Sequence, residues 1–209
     1  MQKSILFDLD GTLTDSSEGI VKCCLYTFEH YNIDIPASKH TEFIGPPLRY
    51  TFKKYGVPDN EIENALTRYR ERYLSVGKFE NKPYKNIENL LDTLKNAGHR
   101  LFVATCKPEE TAIEILDHFD LSKYFEGICG ATFDKSRDSK SAVINYLIEK
   151  YNPSNMIMVG DTVFDVEGAN ETGIDTIGVA WGFGKPQDLL NAGAVAIVQN
   201  TDELINMLL

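Results

Sequence analysis

The sequence predicts an α/β protein: a parallel sheet with helices on both faces and an all-helical insertion near its start. Three observations carry this. From Asn86 onward, helical and strand patterns alternate. The strand candidates are nearly continuous apolar runs, as expected of strands covered on both faces. Between Ser16 and about Glu80 the alternation stops, and helical spacing alone persists.

The first strand is short, with Ile5, Leu6 and Phe7 leading into Asp8-Leu9-Asp10-Gly11. Within the insertion, Ile62, Leu66, Tyr69 and Tyr73 recur at helical spacing, and Ile44-Gly45-Pro46-Pro47 forms a sharp interruption. Ile87, Leu90, Leu91 and Leu94 predict a helix stopped by Gly98, and LFVAT at 101–105 predicts the next strand. Pro108 suits the first turn of a helix that continues through Ile113 and Leu116, before a GICGA strand at 127–131. Ser139 is placed to cap a helix carrying Val143 and Leu147, and MIMVG at 156–160 is a strand ending at Asp161. TIGVA at 176–180 and VAIV at 195–198 complete the sheet. The expected core is therefore residues 1–15 with 81–209, and the insertion is 16–80. Because the insertion leaves the sheet just after Asp10, it is expected to return over the strand ends, where open α/β sheets bind ligands.

A chain of 209 residues can bury a real site. Its net charge of −10 argues against a polyanion-binding surface, so no nucleic acid is expected as a partner. Met1 to Lys3 lead into only three apolar residues, and no apolar run is long enough to span a bilayer. The expectation is a cytoplasmic protein with no membrane partner. Cys23, Cys24, Cys106 and Cys129 form no CxxC, and neither they nor the four histidines have zinc-ligand spacing.

The acids at the strand ends need explaining. A two-residue period turns Asp8 and Asp10 to one side, and like charges about 4 Å apart repel by roughly 4 kcal/mol at an effective dielectric of about 20. The pair calls for a cation or a proton, unless it is simply a solvated turn with an Asp cap. A second strand end supplies Asp161 and Asp165. A parallel sheet gathers such ends along one edge, so these oxygens could surround one hard cation, which suits Mg²⁺. A calcium EF-hand does not fit, because counting from Asp8 puts Leu13 where the loop needs Gly and Gly19 where it needs Glu.

Four stretches, FDLDGTLTD, VATCK, Lys140 at a helix start and GDTVFDVEGANETG, occur in the order of the four motifs of the haloacid dehalogenase (HAD) superfamily of phosphohydrolases, which the sequence resembles. The insertion corresponds to that family's helical cap, and GDTVFDVEGANETGIDTIGVAWGFG is similar to the phosphoglycolate phosphatase branch. The resemblance implies a Rossmann-like three-layer core and a Mg²⁺-dependent phosphatase acting on a small phosphomonoester through an aspartyl-phosphate. Asp8 would be the nucleophile and Asp10 the acid and base. Mg²⁺ would be held by Asp8, the Asp10 backbone carbonyl and Asp161, with Asp165 orienting water or neighbouring groups. Thr105 and Lys140 would hold and neutralise the phosphoryl group, with Gly11, Thr12, Cys106 and Lys107 on the substrate side. Lys135 and Arg137 are rivals for the cationic role, and Asp165 could instead cap the following helix.

Two positions are particular to this chain. Arg49 follows the Gly45-Pro46-Pro47-Leu48 turn and is expected at the mouth of the site, facing a second anionic group, unless it is an exposed helix arginine. Cys106 stands where the family usually has Asn or Ser. A neighbouring lysine and a helix N-terminus would favour its thiolate and make it reactive, unless it turns into the core.

An acid at position 10 sets the chain apart from dehalogenases and phosphonatases of the superfamily. A 5'-nucleotidase or other nucleotide or pyrophosphate phosphatase is the second reading. Tyr26, Phe28, Tyr31, Phe43, Tyr50, Phe52, Tyr55, Tyr69 and Tyr73 could stack a base, or pack. A sugar phosphomutase ranks third, since SSEGIVKCCLY lacks the cap histidine usual in that branch. A catalytically silent binding protein on the same fold is the remaining class.

Overall fold

The structure is a computed structural model describing residues 2–46, 48–134 and 136–209. Pro47 of the expected turn and Lys135, one of the rival cations, lie outside the described residues. The chain forms two compact units, Met1–Asp15 with Pro83–Leu209, and Ser16–Lys82.

In chain order the strands are β1 Ser4–Phe7, β2 Thr14–Asp15, β3 Lys82–Pro83, β4 Arg100–Pro108, β5 Gly127–Ala131, β6 Met156–Gly160, β7 Thr176–Val179 and β8 Ala196–Val198. The helices are α1 Ser17–His30, α2 Leu48–Lys54, α3 Ile62–Ser75, α4 Ile87–Asn96, α5 Glu109–His118, α6 Lys140–Tyr151, α7 Val163–Glu171, α8 Pro186–Ala192 and α9 Thr201–Leu208. Six strands form one sheet in the order β5-β4-β1-β6-β7-β8, and β2 and β3 form a separate pair. Every neighbour in the large sheet is parallel, and Phe7 at the end of β1 sits beside Val103 of β4 and Val159 of β6.

β1 is central and wholly buried, and its pleat divides two cores. Ile5 and Phe7 join Leu90 of α4, Ala112 of α5 and Leu204 of α9 on one face. Leu6 joins Val143 and Leu147 of α6 and Ala169 of α7 on the other. These are the three layers expected of α/β units. The Ser139 hydroxyl accepts the Ala142 N–H and caps α6, as its position predicted. One boundary differs: β4 runs past Thr105 to Pro108, with a register shift against β5, so Pro108 ends the strand and precedes α5. Its ψ of 131° is extended, and the strand hydrogen bonding to β5 prevails over the helix-start preference of proline.

The inserted unit has its own core of Cys23, Cys24, Phe28, Phe43, Phe52, Ala65, Leu66, Tyr69 and Tyr73. Four of these, with Phe28 edge-on to Phe52 at 5.5 Å and Tyr69 stacked on Tyr73 at 5.6 Å, show the aromatic spacing used for packing. Ile62, Leu66, Tyr69 and Tyr73 line the buried face of α3. Among the described residues, no helix is long and apolar enough to cross a membrane.

Candidate active site

The adjacent strands β4, β1 and β6 bring polar groups together near their C-terminal ends, Thr105 within β4 and acids just beyond β1 and β6. Asp8 follows β1 and donates its backbone N–H to the Val159 carbonyl at 2.9 Å, which carries the strand geometry one residue beyond Phe7. Asp161 follows β6 and is fully buried. Asp165, in the first turn of α7, is also fully buried, and one oxygen from each of Asp8, Asp161 and Asp165 lies within 4.8 Å of the others. Asp10 is not in that cluster, although the two-residue period put it there; its Oδ2 pairs instead with Lys107 Nζ at 2.7 Å.

Lys140 opens α6 and is 4 % exposed. Its Nζ donates to Asp8 Oδ1 and to the Ala104 carbonyl, both at 2.8 Å, and lies 2.6 Å from Asp165 Oδ1. Arg137, the rival cation within the described residues, is engaged elsewhere: it donates to the Gly130 carbonyl and to Glu109 and stacks over Tyr146. The capping reading of Asp165 holds, and its two oxygens have different partners. Oδ1 faces Lys140, while Oδ2 accepts the Thr162 N–H at 3.0 Å and the Thr162 hydroxyl at 2.8 Å, closing a capping box at the start of α7.

The electrostatics follow from burial, from two carboxylates paired with one ammonium and from a third acid close to both. Burial pushes Asp8 up to about 6 against the opposing pull of Lys140, with Asp165 and Asp10 adding to the rise. Asp161 is pushed well above the carboxylate range by burial and by Asp165 and Asp8. Burial works against the charge on Lys140, but Asp165 and Asp8 outweigh it and hold Lys140 above the ordinary lysine range.

Thr105, near the end of β4, is buried, and its hydroxyl accepts the Lys107 N–H at 3.2 Å. Gly11 has φ +86°, and a Cβ there would sit 2.1 Å from Asp161 Oδ2, so only glycine allows the turn after β1 to approach the second acid. Thr12 is fully buried and donates its hydroxyl to Asp161 Oδ1 at 3.2 Å. The surroundings of Cys106 run against the expected thiolate. Burial of its sulfur pushes the thiol up to about 11, and although Lys140 opposes this, Asp8, Asp165 and Asp138 add to it. The residue itself is exposed, so it is the surroundings of the sulfur and not access that disfavour the thiolate. Arg49 is an exposed residue of α2 paired with Glu63 of α3, which is the plain alternative foreseen for it.

Three contributors escaped sequence reasoning. The Ala104 carbonyl and the Phe183 N–H, which donates to Asp161 Oδ2 at 2.8 Å, are backbone groups with no side-chain signature. Trp181 donates its indole N–H to the Thr12 carbonyl at 3.0 Å. The glycine-flanked run Trp181-Gly182-Phe183-Gly184 was the only available sign of a close approach there.

The donor set fits a hard divalent cation. It is all oxygen, and its three buried carboxylates share one ammonium that contacts two of them; burial first, and the neighbouring acids second, raise Asp8 and Asp161. Asp10 Oδ1 is in addition buried with no hydrogen-bond partner.

Residues 5–179 match the haloacid dehalogenase-like hydrolase family. The chain belongs to this family and is an enzyme. It is 39 % identical over 190 residues to a 5'-nucleotidase of Pseudomonas aeruginosa, covering 89 % of this chain and 86 % of that protein. It is also 39 % identical over 206 residues to the tyrosine-protein kinase PtkA of Mycobacterium tuberculosis, covering 96 % of this chain and 70 % of the relative. Among solved structures, a haloacid dehalogenase-like family hydrolase from Streptococcus pneumoniae superposes with a TM-score of 0.92 at 33 % identity, covering 100 % of this chain and 99 % of the other. More distant relatives carry the names phosphoglycolate phosphatase and pyrophosphatase PpaX.

Proposed function

We propose that this enzyme is a Mg²⁺-dependent phosphatase that hydrolyses small phosphomonoesters through an aspartyl-phosphate on Asp8. The observation that carries the reading is the buried group formed by Asp8, Asp161, Asp165 and Lys140 at adjoining strand ends, with Asp10 held beside it by Lys107. The Asp8 carboxylate attacks phosphorus, and the phosphorus–oxygen bond to the alcohol breaks as Asp10 gives its proton to the leaving oxygen. Asp10 then takes a proton from water, whose oxygen attacks the same phosphorus and releases Asp8 with inorganic phosphate. Lys140 favours the ionised form of Asp8 that the first step needs. Thr105 and the N–H groups leading into α5 face the phosphoryl oxygens. Asp8, Asp161 and the Asp10 carbonyl would hold Mg²⁺ with Asp165 behind them, and the ion when bound supplies the positive charge these carboxylates lack.

A 5'-nucleotide is the second substrate reading beside phosphoglycolate, favoured by the similarity to the Pseudomonas aeruginosa 5'-nucleotidase. Base stacking on Phe28, Phe43, Phe52, Tyr69 or Tyr73 does not support it, because those rings fill the core of the inserted unit. The test is phosphate release from an aryl phosphate, phosphoglycolate, 5'-nucleotides and pyrophosphate, with and without Mg²⁺. Turnover that needs Mg²⁺ and vanishes in Asp8→Asn is expected. No turnover of any of them above that variant overturns the reading.

A further inference from the structure

Asp161 is held by the chain at both of its carboxylate oxygens. Its Oδ1 accepts the Thr12 hydroxyl at 3.2 Å and its Oδ2 the Phe183 N–H at 2.8 Å. Thr12 is itself held from outside the β1 turn, since its carbonyl accepts the Trp181 indole N–H at 3.0 Å. Trp181 is the only tryptophan in the chain, and it packs against the apolar core that contains Leu9 and Leu13. The next residue leaves no slack: a Cβ on Gly182 would lie 2.3 Å from Asp161 Cβ and 2.4 Å from the Gly11 carbonyl oxygen. The segment after β7 is thus pressed against both the β1 turn and the acid that follows β6, and it reaches both Asp161 oxygens, one directly and one through Thr12.

We propose that Trp181 is a positioning residue for Asp161, acting through Thr12: the indole N–H fixes the Thr12 backbone so that its hydroxyl aims one Asp161 oxygen and leaves the carboxylate's remaining lone pairs turned toward Asp8. This rests on the reading of Asp161 as a metal ligand. A carboxylate held at both oxygens enters coordination already oriented, and outer partners of metal ligands commonly contribute about 10- to 100-fold in metal affinity.

The experiment is a calorimetric titration of Mg²⁺ into the whole protein and its variants. Trp181→Phe keeps an aromatic ring and removes the N–H, with Trp181→Leu as a second variant should the first not unfold cooperatively. Thr12→Val removes the hydroxyl, and Thr12→Ser retains it. The expected result is Mg²⁺ affinity weakened about tenfold or more by Trp181→Phe and by Thr12→Val, near wild-type affinity in Thr12→Ser, and a double variant little worse than the worse single, because both act on one chain of hydrogen bonds. A Trp181 variant that is less stable but binds Mg²⁺ like the wild type shows a packing role alone and overturns the inference, as does full additivity in the double variant. Wild-type protein that binds no Mg²⁺ overturns the reading of the metal site and the inference with it, an outcome seen before any variant is made.

Discussion

Lys140 and Asp165 form an ion pair, Nζ to Oδ1 2.6 Å, in which the two side chains are 3 % and 1 % exposed. An ammonium so deeply buried is sustained only by its partners, and this one has two carboxylates and a carbonyl. Lys140→Met should leave Asp8 and Asp165 facing each other without a cation. The expected cost is about 3 kcal/mol in urea unfolding under chelating conditions, in line with breaking other buried pairs, together with loss of turnover. A cost below about 1 kcal/mol would mean that the acids protonate without penalty and that the lysine does not hold the site together.

Asp8→Asn should abolish turnover and leave the fold intact, because the amide keeps the shape and lacks the nucleophilic oxygen. Asp10→Asn should slow breakdown of the phosphorylated enzyme more than its formation when the leaving group is an aryl oxide that needs little protonation. Rapid-quench measurement of the two half-reactions separates them. Equal losses in both remove Asp10 from acid and base work and leave it as the partner of Lys107.

Cys106 should behave as an unreactive thiol at neutral pH. A thiol pushed up from 9.0 to about 11 has roughly a hundredfold smaller thiolate fraction at pH 7. Mass-spectrometric mapping should find iodoacetamide labelling of Cys106 far slower than that of a free cysteine peptide, and rising with pH well beyond 9. Rapid labelling at pH 7 would show that Lys140 outweighs burial and the three acids around the sulfur.

In the inserted unit, Arg72 and Glu80 form a two-pronged pair at 2.7 and 3.1 Å, and Lys22 adds a third contact to Glu80. Arg72 holds the Glu80 carboxyl below its ordinary value of 4.5, against partial burial. The folded form therefore binds the proton less readily than the unfolded one. The pair's contribution is complete above about pH 4.5 and fades as the pH falls through the lower folded value. Glu80→Gln should cost about 1 kcal/mol at pH 7 and progressively less below pH 4.5, as measured by urea unfolding at several pH values. A difference that does not change with pH would rule out the charge as its source.

The alternation of apolar runs and helical spacing determined the layered α/β core, because burial on both faces of a parallel strand and on one face of a helix leaves a local pattern that no other arrangement satisfies. Strand-end acids were legible for the same reason: Asp8 and Asp161 interrupt apolar runs where nothing local stabilises a buried charge, which marks a site before any fold is known. Strand limits were less so, since the extension of β4 through Cys106 and Lys107 to Pro108 depends on hydrogen bonds to β5, a partner about twenty residues on. Only tertiary structure decided how each charge was balanced. Lys140 reaches Asp8 across 132 positions, Asp10 turns to Lys107, Arg49 to Glu63 and Arg137 to Glu109, choices among cations that are equivalent in sequence. It also decided that Cys106 lies among acids as well as beside a lysine, and that Trp181 braces Thr12. A residue's type is local information, whereas its electrostatic surroundings are the sum over neighbours that the chain brings together only on folding.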